Sequence, residues 1–379
     1  MIMPPTPPQA VETRQSERGF TLIELLVTMT ITTVILGATM TSMNDAIKAT
    51  DAALLLTGMN NTLRTSMDLV VRDLLQVGQG LPTGRVILIP SGNNAQPINM
   101  PGPRGSAFTL TGETEISAVQ PWPGLGPVIN GQASDVITTL AADSSFDQVR
   151  LTALTAAAGG SSMTVNPAEN ITNGGPNDID PGDLIMLTKG SLSALVQVSR
   201  VVNQTVFFDP GDSLNLNQTA AASGTVLRLR ATAPVDNAPV APAVFVTTQA
   251  TRIRMITYYL DNTTDPPHPR LVRRLNNGDP TTFNNNLGTT VAFDIENLQI
   301  SYDLADGVSN PANVKMVAAD LVPTGGCSPS ACSPNQIRKV NLLMSARSKS
   351  VLKSGRQFLR NRLLSQVSLR SLAFVDNYQ

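Results

Sequence analysis

The chain has 379 residues, enough for two or three domains and a sizeable hydrophobic core. Its formal net charge of -1 gives no bulk attraction to nucleic acid or to a membrane surface, and its aromatic content of 4% argues against a surface that stacks on bases or sugars. The 27 glycines and 27 prolines, with short β-branched runs between them, are typical of strands joined by turns and long loops.

The first predicted element is a membrane-length apolar helix over residues 20–43. This stretch holds one charge, Glu24, and no proline, so its roughly 24 residues are long enough to cross a hydrocarbon core of about 30 Å. The run is too long for the apolar part of a secretory signal, and no A-x-A cleavage site follows it, but hydropathy alone leaves a plain signal anchor open. Arg14 and Arg18 precede the run, so the positive-inside rule predicts a cytoplasmic N-terminus and a head outside.

The residues at the start of this helix carry a family resemblance. The stretch RGFTLIELLV, from Arg18 to Val27, resembles the class III signal of type IV prepilins and of type II secretion pseudopilins. The resemblance implies that a prepilin peptidase removes residues 1–19 as a leader, cuts between Gly19 and Phe20, and methylates the new amine of Phe20. The mature chain would keep its membrane helix, first in the inner membrane and then in an extracellular fibre.

Glu24 has two interpretations. Thr21 and Glu24 fit the S/T-x-x-E capping box, and a carboxylate in the first turn complements the helix dipole. Capping does not explain a carboxylate at membrane depth, where charges are costly and usually paired. The resemblance implies that Glu24 pairs with the Phe20 amine of a neighbouring subunit and so sets the axial register of packed helices.

Apolar residues continue at helical spacing beyond the membrane segment. Gly78, Gly80 and Pro82 end the pattern, so we predict one helix over residues 20–79 whose distal half packs on a sheet. The predicted stripe recurs every three or four residues and consists of Ala49, Ala52, Leu56, Met59, Leu63, Met67, Val70, Leu74 and Val77.

The remainder of the chain is predicted to be rich in β-strands. Short runs of β-branched and apolar residues, separated by turn residues, include GRVILIP, SDVITTL, DQVRLTAL, DLIMLT, ALVQVSRVV, TVFFD and TVLRLRA, and SQVSLRSLAF is the last predicted strand. We assign residues 80–250 to a β-rich insert and residues 251–379 to a β-sheet head. Together with the helix this predicts an α+β fold, in which a long N-terminal helix packs on a β-rich C-terminal head.

The segment 251–379 resembles PilW-type minor pilins and the minor pseudopilin J of type II secretion. The resemblance is carried in family order by Tyr258 to Leu260, Leu271 with Arg273 and Arg274, Glu296 to Gln299 with Tyr302, Arg338 to Leu342, and Val367 to Leu369. It implies a minor pilin that helps to prime or cap a type IV pilus, with other major and minor pilins as partners. The alternatives are a type II secretion pseudopilin and a DNA-uptake or adhesive pilin.

Few residues of the sequence suggest a disulfide, a metal site or a catalytic site. Cys327 and Cys332 lie in a Gly/Pro/Ser-rich stretch, and outside the cytosol we expect them to form a disulfide, with two free thiols as the alternative. The only histidine, His268, lies in the predicted surface turn PPHPR, and it cannot complete a zinc site with two cysteines. The acidic stretch NDIDPGD, from Asn177 to Asp183, lacks the EF-hand spacing. We therefore expect no metal, no cofactor and no catalytic site.

Basic residues concentrate near the C-terminus. We expect them on the solvent face of the last strands, with contacts to nucleic-acid phosphates or to another subunit as alternatives. Only Phe358 interrupts this run with an aromatic ring, which gives base stacking little support. The basic residues are Arg338, Lys339, Arg347, Lys349, Lys353, Arg356, Arg360 and Arg362.

Overall fold

The computed structural model describes residues 19–81, 86–103, 108–143, 149–157, 159–167, 171, 178–190, 192–231, 248–276, 288–304, 337–352, 355 and 357–370. The helices in these residues are α1 (Leu22–Leu75) and α2 (Val226–Ala231). The strands are β1 (Val86–Leu88), β2 (Ile98–Asn99), β3 (Thr109–Leu110), β4 (Glu115–Ser117), β5 (Val119–Trp122), β6 (Val128–Ile129), β7 (Gln132–Ala133), β8 (Val136–Ala142), β9 (Val149–Ala157), β10 (Gly160–Val165), β11 (Leu184–Lys189), β12 (Leu192–Gln197), β13 (Arg200–Val202), β14 (Thr205–Phe208), β15 (Gln249–Asp261), β16 (Arg270–Leu275), β17 (Thr289–Phe293), β18 (Ile295–Leu304), β19 (Ile337–Arg347) and β20 (Arg360–Ser368).

Helix α1 is continuous through the membrane-length segment and the predicted distal stripe. It has 54 residues and is therefore about 80 Å long. Thr21 caps its N-terminus, and at its C-terminus Gly78 and Gly80 take positive φ angles of 75° and 69°, which glycine adopts without strain. The structure confirms the predicted α+β architecture, with a long apolar helix followed by a β-rich region.

Within the described residues the largest sheet has 11 strands, and β15 lies at its centre. This strand pairs antiparallel with β8, β9 and β11, which precede it in the chain, and with β16, which follows it. Strands from both sides of residue 250 therefore share one sheet. The division of the chain at residue 250 stays a prediction.

A second sheet, in the order β18-β19-β20, packs on the distal half of α1. One core cluster joins Met59, Leu63, Met67, Val70 and Leu74 of the helix to apolar residues of both sheets. Each such side chain contributes about 1.5–3 kcal/mol when it leaves water, an upper bound because denatured chains already bury part of it. This contact attaches the helix to the head. The predicted stripe is buried from Met59 onward, whereas Ala49 and Leu56 are exposed.

The prediction of a strand for TVLRLRA is wrong, because this stretch forms helix α2. Val226 and Leu229 are buried three residues apart, and Leu227 and Arg228 between them are exposed, which is helical spacing. The Thr225 hydroxyl accepts a hydrogen bond from the Arg228 N–H at 3.2 Å and caps the helix. The alternation of leucine and arginine imitates the two-residue period of a strand.

The last strand also begins earlier than predicted. The sequence suggested SQVSLRSLAF, whereas β20 begins at Arg360 and pairs along β19 as far as Ser368. Residues after 370 lie outside the described part of the chain.

Candidate functional site

The predicted processing site precedes the first turn of α1. Gly19 and Phe20 are exposed and lie outside any helix or strand, and 80% of the Phe20 surface is accessible. Thr21, the residue that caps the helix, has extended backbone angles (φ -75°, ψ 148°). The peptide bond between Gly19 and Phe20 is therefore open to a peptidase in this conformation. Cleavage at this bond stays a prediction.

Glu24 forms a complete capping box with Thr21. The Glu24 N–H donates to Thr21 Oγ1 at 3.3 Å, and the Thr21 N–H and hydroxyl both donate to Glu24 Oε2, at 3.0 and 2.9 Å. These bonds satisfy donors at the N-terminus that the helix itself leaves unpaired. The capping interpretation therefore holds within one chain. Pairing with the amine of a second chain stays a prediction.

Threonines line the membrane-length part of α1, a feature that the sequence analysis did not use. Each hydroxyl donates to the carbonyl four residues earlier at 2.7–2.9 Å, in Thr28, Thr30, Thr32, Thr33, Thr39 and Thr41. Hydroxyls that are satisfied in this way are tolerated in lipid, and they still offer a small polar surface to a neighbouring helix. At 3.6 residues per turn, Thr21, Glu24, Thr28, Thr32 and Thr39 lie within an arc of about 80°.

A buried polar cluster fixes the distal end of α1 to the largest sheet. Asp73 is 6% exposed, and its Oδ2 accepts hydrogen bonds from the Tyr258 hydroxyl at 2.5 Å and from Arg273 Nε at 2.6 Å. Tyr258 and Arg273 lie opposite each other on β15 and β16. One carboxylate of the helix therefore connects two strands of the sheet.

The electrostatics of this cluster favour the arrangement seen. Burial, together with the hydrogen bond to the charged Asp73, raises the pKa of Tyr258 well above its ordinary value, so the hydroxyl stays a donor. Burial acts to lower the pKa of Arg273, but the hydrogen bond and charge of Asp73 outweigh burial and raise it. Tyr258 therefore stays neutral and Arg273 stays charged, and both donate to the Asp73 carboxylate.

The sequence analysis did not identify Asp73, but it named both of its partners, Tyr258 and Arg273. Tyr258 and Arg273 were carriers of the resemblance to minor pilins and pseudopilins. Asp73 lies three residues after Val70 and next to Leu74, so it shares the buried face of the helix. An acidic residue inside an apolar stripe is the signal that would have identified it.

Several of the predicted basic residues pair with acids of the same sheet. Arg360 Nε lies 2.7 Å from Glu296 Oε2, and Arg347 Nη1 lies 3.4 Å from Glu296 Oε1. Burial opposes the charge on Glu296, but the hydrogen bonds from Arg360 and Asn130 and the charges of Arg360 and Arg347 together outweigh burial and lower the pKa of Glu296. Lys339 lies 4.0 Å from Asp303. This part of the positive charge is neutralised within the chain, while the side chains of Lys353 and Arg356 lie outside the description.

An apolar groove of about 830 Å³ lies between α1 and β17. Leu55 and Met59 line its helix side, and Val291 lines its strand side. His268 lies at this groove, with its Nδ1 2.8 Å from Asp294 Oδ1. The predicted surface turn that carries His268 is therefore fixed by this contact to Asp294, the residue between β17 and β18.

The acidic stretch that ends at Asp183 is held by an arginine. Arg252 Nη2 lies 3.0 Å from Asp143, and its Nη1 lies 3.7 Å from Asp183. Within the described ranges, no group of three or more histidine, cysteine or acidic side chains is arranged to hold a metal ion. Cys327 and Cys332 lie outside these ranges, so their predicted disulfide stays a prediction.

Comparison with known proteins finds a family match for one region of the chain. The family model for the prokaryotic N-terminal methylation motif matches residues 14–40. No curated protein and no solved structure matches the chain. Among the described residues one helix, Leu22–Leu75, is long and apolar enough to cross a membrane. The motif and this helix together support a type IV pilin-like protein, and the motif implies processing by a prepilin peptidase and assembly with other pilins.

Proposed function

We propose that the chain is a minor pilin of the PilW type, a structural subunit that helps to prime or cap a type IV pilus. The observation that carries this proposal is the continuity of the methylation motif, at residues 14–40, with a helix of 54 residues attached to a β-rich head. Such a subunit contributes helix packing and a displayed head, and the proposal assigns it no catalysis and no cofactor.

The two halves of α1 support different steps of this function. Large apolar side chains from Phe20 to Met43 are 48–83% exposed on the isolated chain, so they require lipid or neighbouring helices around them. From Met59 onward the same helix is buried against the head. A helix that is fixed to its head moves out of the bilayer together with it, which an assembling fibre requires.

The capping box leaves Glu24 able to join a second chain. Its bonds to Thr21 use Oε2, and within the described chain Oε1 accepts no hydrogen bond. The free oxygen can accept a bond from the methylated amine of a neighbouring Phe20 while the cap stays intact. Pairing offsets the cost of a carboxylate at membrane depth, and the absence of a partner there is strongly penalised.

The size of the head favours a low-copy position. Residues 80–379 follow the helix, and a head of about 300 residues is bulky for a subunit that repeats at close helical spacing. We therefore place the subunit at the tip or among the priming subunits. Imaging of labelled protein along the whole fibre would contradict this placement.

Three substitutions at Glu24 test the assembly role. Glu24→Gln keeps a side-chain oxygen for the capping box but removes the charge, whereas Glu24→Ala and Glu24→Leu remove both. We expect all three proteins in the membrane fraction and none in sheared fibres, as measured by immunoblot. Normal incorporation of Glu24→Gln would leave capping as the only role of this residue.

A type II secretion pseudopilin is the second candidate, because the same motif and the same strands resemble that family. Deletion of the gene separates the two functions. Loss of twitching with normal exoprotein release supports the pilus, and the reverse result supports secretion. DNA binding receives less support, since Arg347, Arg360 and Lys339 pair with acids of their own chain. A mobility shift of the head at several salt concentrations tests it.

A further inference from the structure

Strand β20 forms an open edge of the sheet β18-β19-β20. It pairs with β19 from Arg360 to Ser368 without a register shift, and no described strand pairs with its other side. The opposite edge of this sheet is covered. There the Asp135 N–H donates to the Leu298 carbonyl of β18 at 2.9 Å, and the Asp135 carboxylate accepts from the Ile300 N–H at 2.8 Å.

The open edge is long and regular. Strand β20 has nine residues with no proline and no bulge, whereas β5, β12, β13 and β17, at the ends of the largest sheet, have three to six residues. Folded proteins generally shorten, kink or charge an exposed edge, because its unpaired N–H and C=O groups can pair with another chain. The two charges of β20 lie at its start, so the stretch from Leu364 to Ser368 is an unprotected backbone template.

Hydrogen bonds at the two ends of β20 show which backbone groups are open. The Leu359 carbonyl accepts from the Ser348 N–H, and the Leu369 N–H donates to the Arg338 carbonyl, both at 2.8 Å. Successive residues of an edge strand alternate between bonding to the partner strand and pointing away from it, so the odd-numbered residues bond to β19. Accordingly, the Arg362 N–H donates to the side chain of the preceding residue at 2.8 Å. The groups that point to the open edge belong to Arg360, Arg362, Leu364, Gln366 and Ser368.

The side chains of these five residues lie on the face of the sheet away from α1. Leu363 and Val367 lie on the other face and belong to the core shared with the helix. On the outer face Leu364 is 66% exposed, and Arg362 forms no ion pair with any described residue. Arg360, by contrast, pairs with Glu296. An added strand would therefore meet an apolar side chain and an unpaired positive charge two residues apart.

A second copy of this chain does not fit the edge. Two antiparallel β20 strands are related by a two-fold axis perpendicular to the sheet, and this axis would also make the two α1 helices antiparallel. Both helices could not then cross one membrane in the same direction. In addition, β20 holds two arginines and no acid, so a second copy brings no counter-charge for Arg362. The occupant that fits is a different chain with an acidic residue.

We infer that the open edge of β20 accepts an extended segment of a different pilin subunit as an added antiparallel strand. This segment carries an acid opposite Arg362 and, two positions earlier in its own sequence, an apolar residue opposite Leu364. Main-chain hydrogen bonds to Leu364, Gln366 and Ser368 supply the affinity, and the acid selects the partner. The inference rests on the proposed function, because it requires other subunits beside the chain.

The test uses the full-length chain in cells that assemble the fibre. A photo-crosslinking amino acid replaces Leu364, and the matched control carries it in place of Leu227, another exposed leucine (47%). Mass spectrometry of the crosslinked peptides identifies the partner and the partner residues that lie beside β20. We expect position 364, and not position 227, to crosslink to an acid-containing segment of another chain with a methylated prepilin-type N-terminus.

Two pairs of variants test the charge and the backbone separately. Arg362→Glu should lower the crosslinking yield about fivefold, since an attractive cross-strand pair becomes repulsive, and Arg362→Lys should keep the yield. Gln366→Pro and Gln366→Ala both remove the side-chain bonds to Asn341 and Asp303, but only proline also removes the N–H at the open edge. We expect Gln366→Pro alone to abolish the product. Urea unfolding of each variant shows whether the head is folded.

Several results would overturn the inference. They are a product with a second copy or with the same chain, no product at 364 in fibres that contain the chain, or equal yields from Arg362→Glu and Arg362→Lys. A methylated Phe20 on the chain in those fibres would leave the proposed function intact. A chain that is neither processed nor found in fibres would reject the proposed function and, with it, the contact.

Discussion

The attachment of α1 to the head gives the most quantitative prediction, because one buried carboxylate carries two charge-assisted hydrogen bonds. Asp73→Ala removes the acceptor of the Tyr258 hydroxyl and the ionic partner of Arg273. Hydrogen bonds to charged groups are worth about 1.5–3 kcal/mol each, and breaking a buried ion pair costs about 3–5 kcal/mol. Arg273 is 19% exposed at its side chain, so water partly replaces the carboxylate. We therefore expect a loss of about 3 kcal/mol.

Asp68→Ala is the matched control for this substitution. Asp68 is exposed on the same helix, so both variants change helix propensity equally and only one breaks the buried cluster. We expect Asp68→Ala to change the free energy of unfolding by no more than about 0.5 kcal/mol.

Urea unfolding in detergent micelles measures both variants. The fluorescence of the single tryptophan, Trp122, follows the transition, since its indole N–H donates to Thr138 of the strand that pairs with β15. Hydrogen exchange of α1 from Met59 onward should increase in Asp73→Ala alone. Equal stability and equal exchange in the two variants would show that apolar packing alone holds the helix, and would refute the role given to Asp73.

Three further predictions concern the head. The free energy of unfolding should fall as the pH rises above about 10, the ordinary pKa of tyrosine. The reason is that the raised pKa of Tyr258 keeps its proton in the folded state, whereas the unfolded chain loses that proton. Unfolding curves across this pH range should show a smaller loss of stability for Tyr258→Phe. Gly224→Ala should destabilise the head more than Gly112→Ala. Both glycines have positive φ, but a Cβ at Gly224 would lie 2.0 Å from a backbone oxygen. Thermal unfolding compares the two variants, and equal midpoints would contradict the clash. Glu296→Gln should cost about 1–2 kcal/mol, as it weakens the bond to Arg360 and leaves Arg347 with less counter-charge; an unchanged urea midpoint would contradict this.

The helix and the general architecture were predictable from sequence because their signals are long and periodic. The run from Phe20 to Met43 has a single charged residue and no proline, and the stripe from Met59 to Val77 repeats at helical spacing over several turns. The capping box was visible as two residues at a fixed interval. Local patterns of this kind need no knowledge of the tertiary structure.

The features that sequence reasoning missed depend on tertiary contacts. Helix α2 spans only six residues, too few to separate a helical from a two-residue period. The role of Asp73 depends on where β15 and β16 place Tyr258 and Arg273, about 200 residues later in the chain. The central position of β15 arises from four strand pairings, which no local pattern specifies.

Mass spectrometry of the N-terminal peptide tests the central claim most directly. The protein would be isolated from membranes and, separately, from sheared fibres of cells that produce it. A type IV pilin-like subunit predicts one N-terminus in both fractions, Phe20 with a methylated amine. An N-terminus at Met1 in both fractions, or a cut after the apolar run that ends at Met43, would contradict the account.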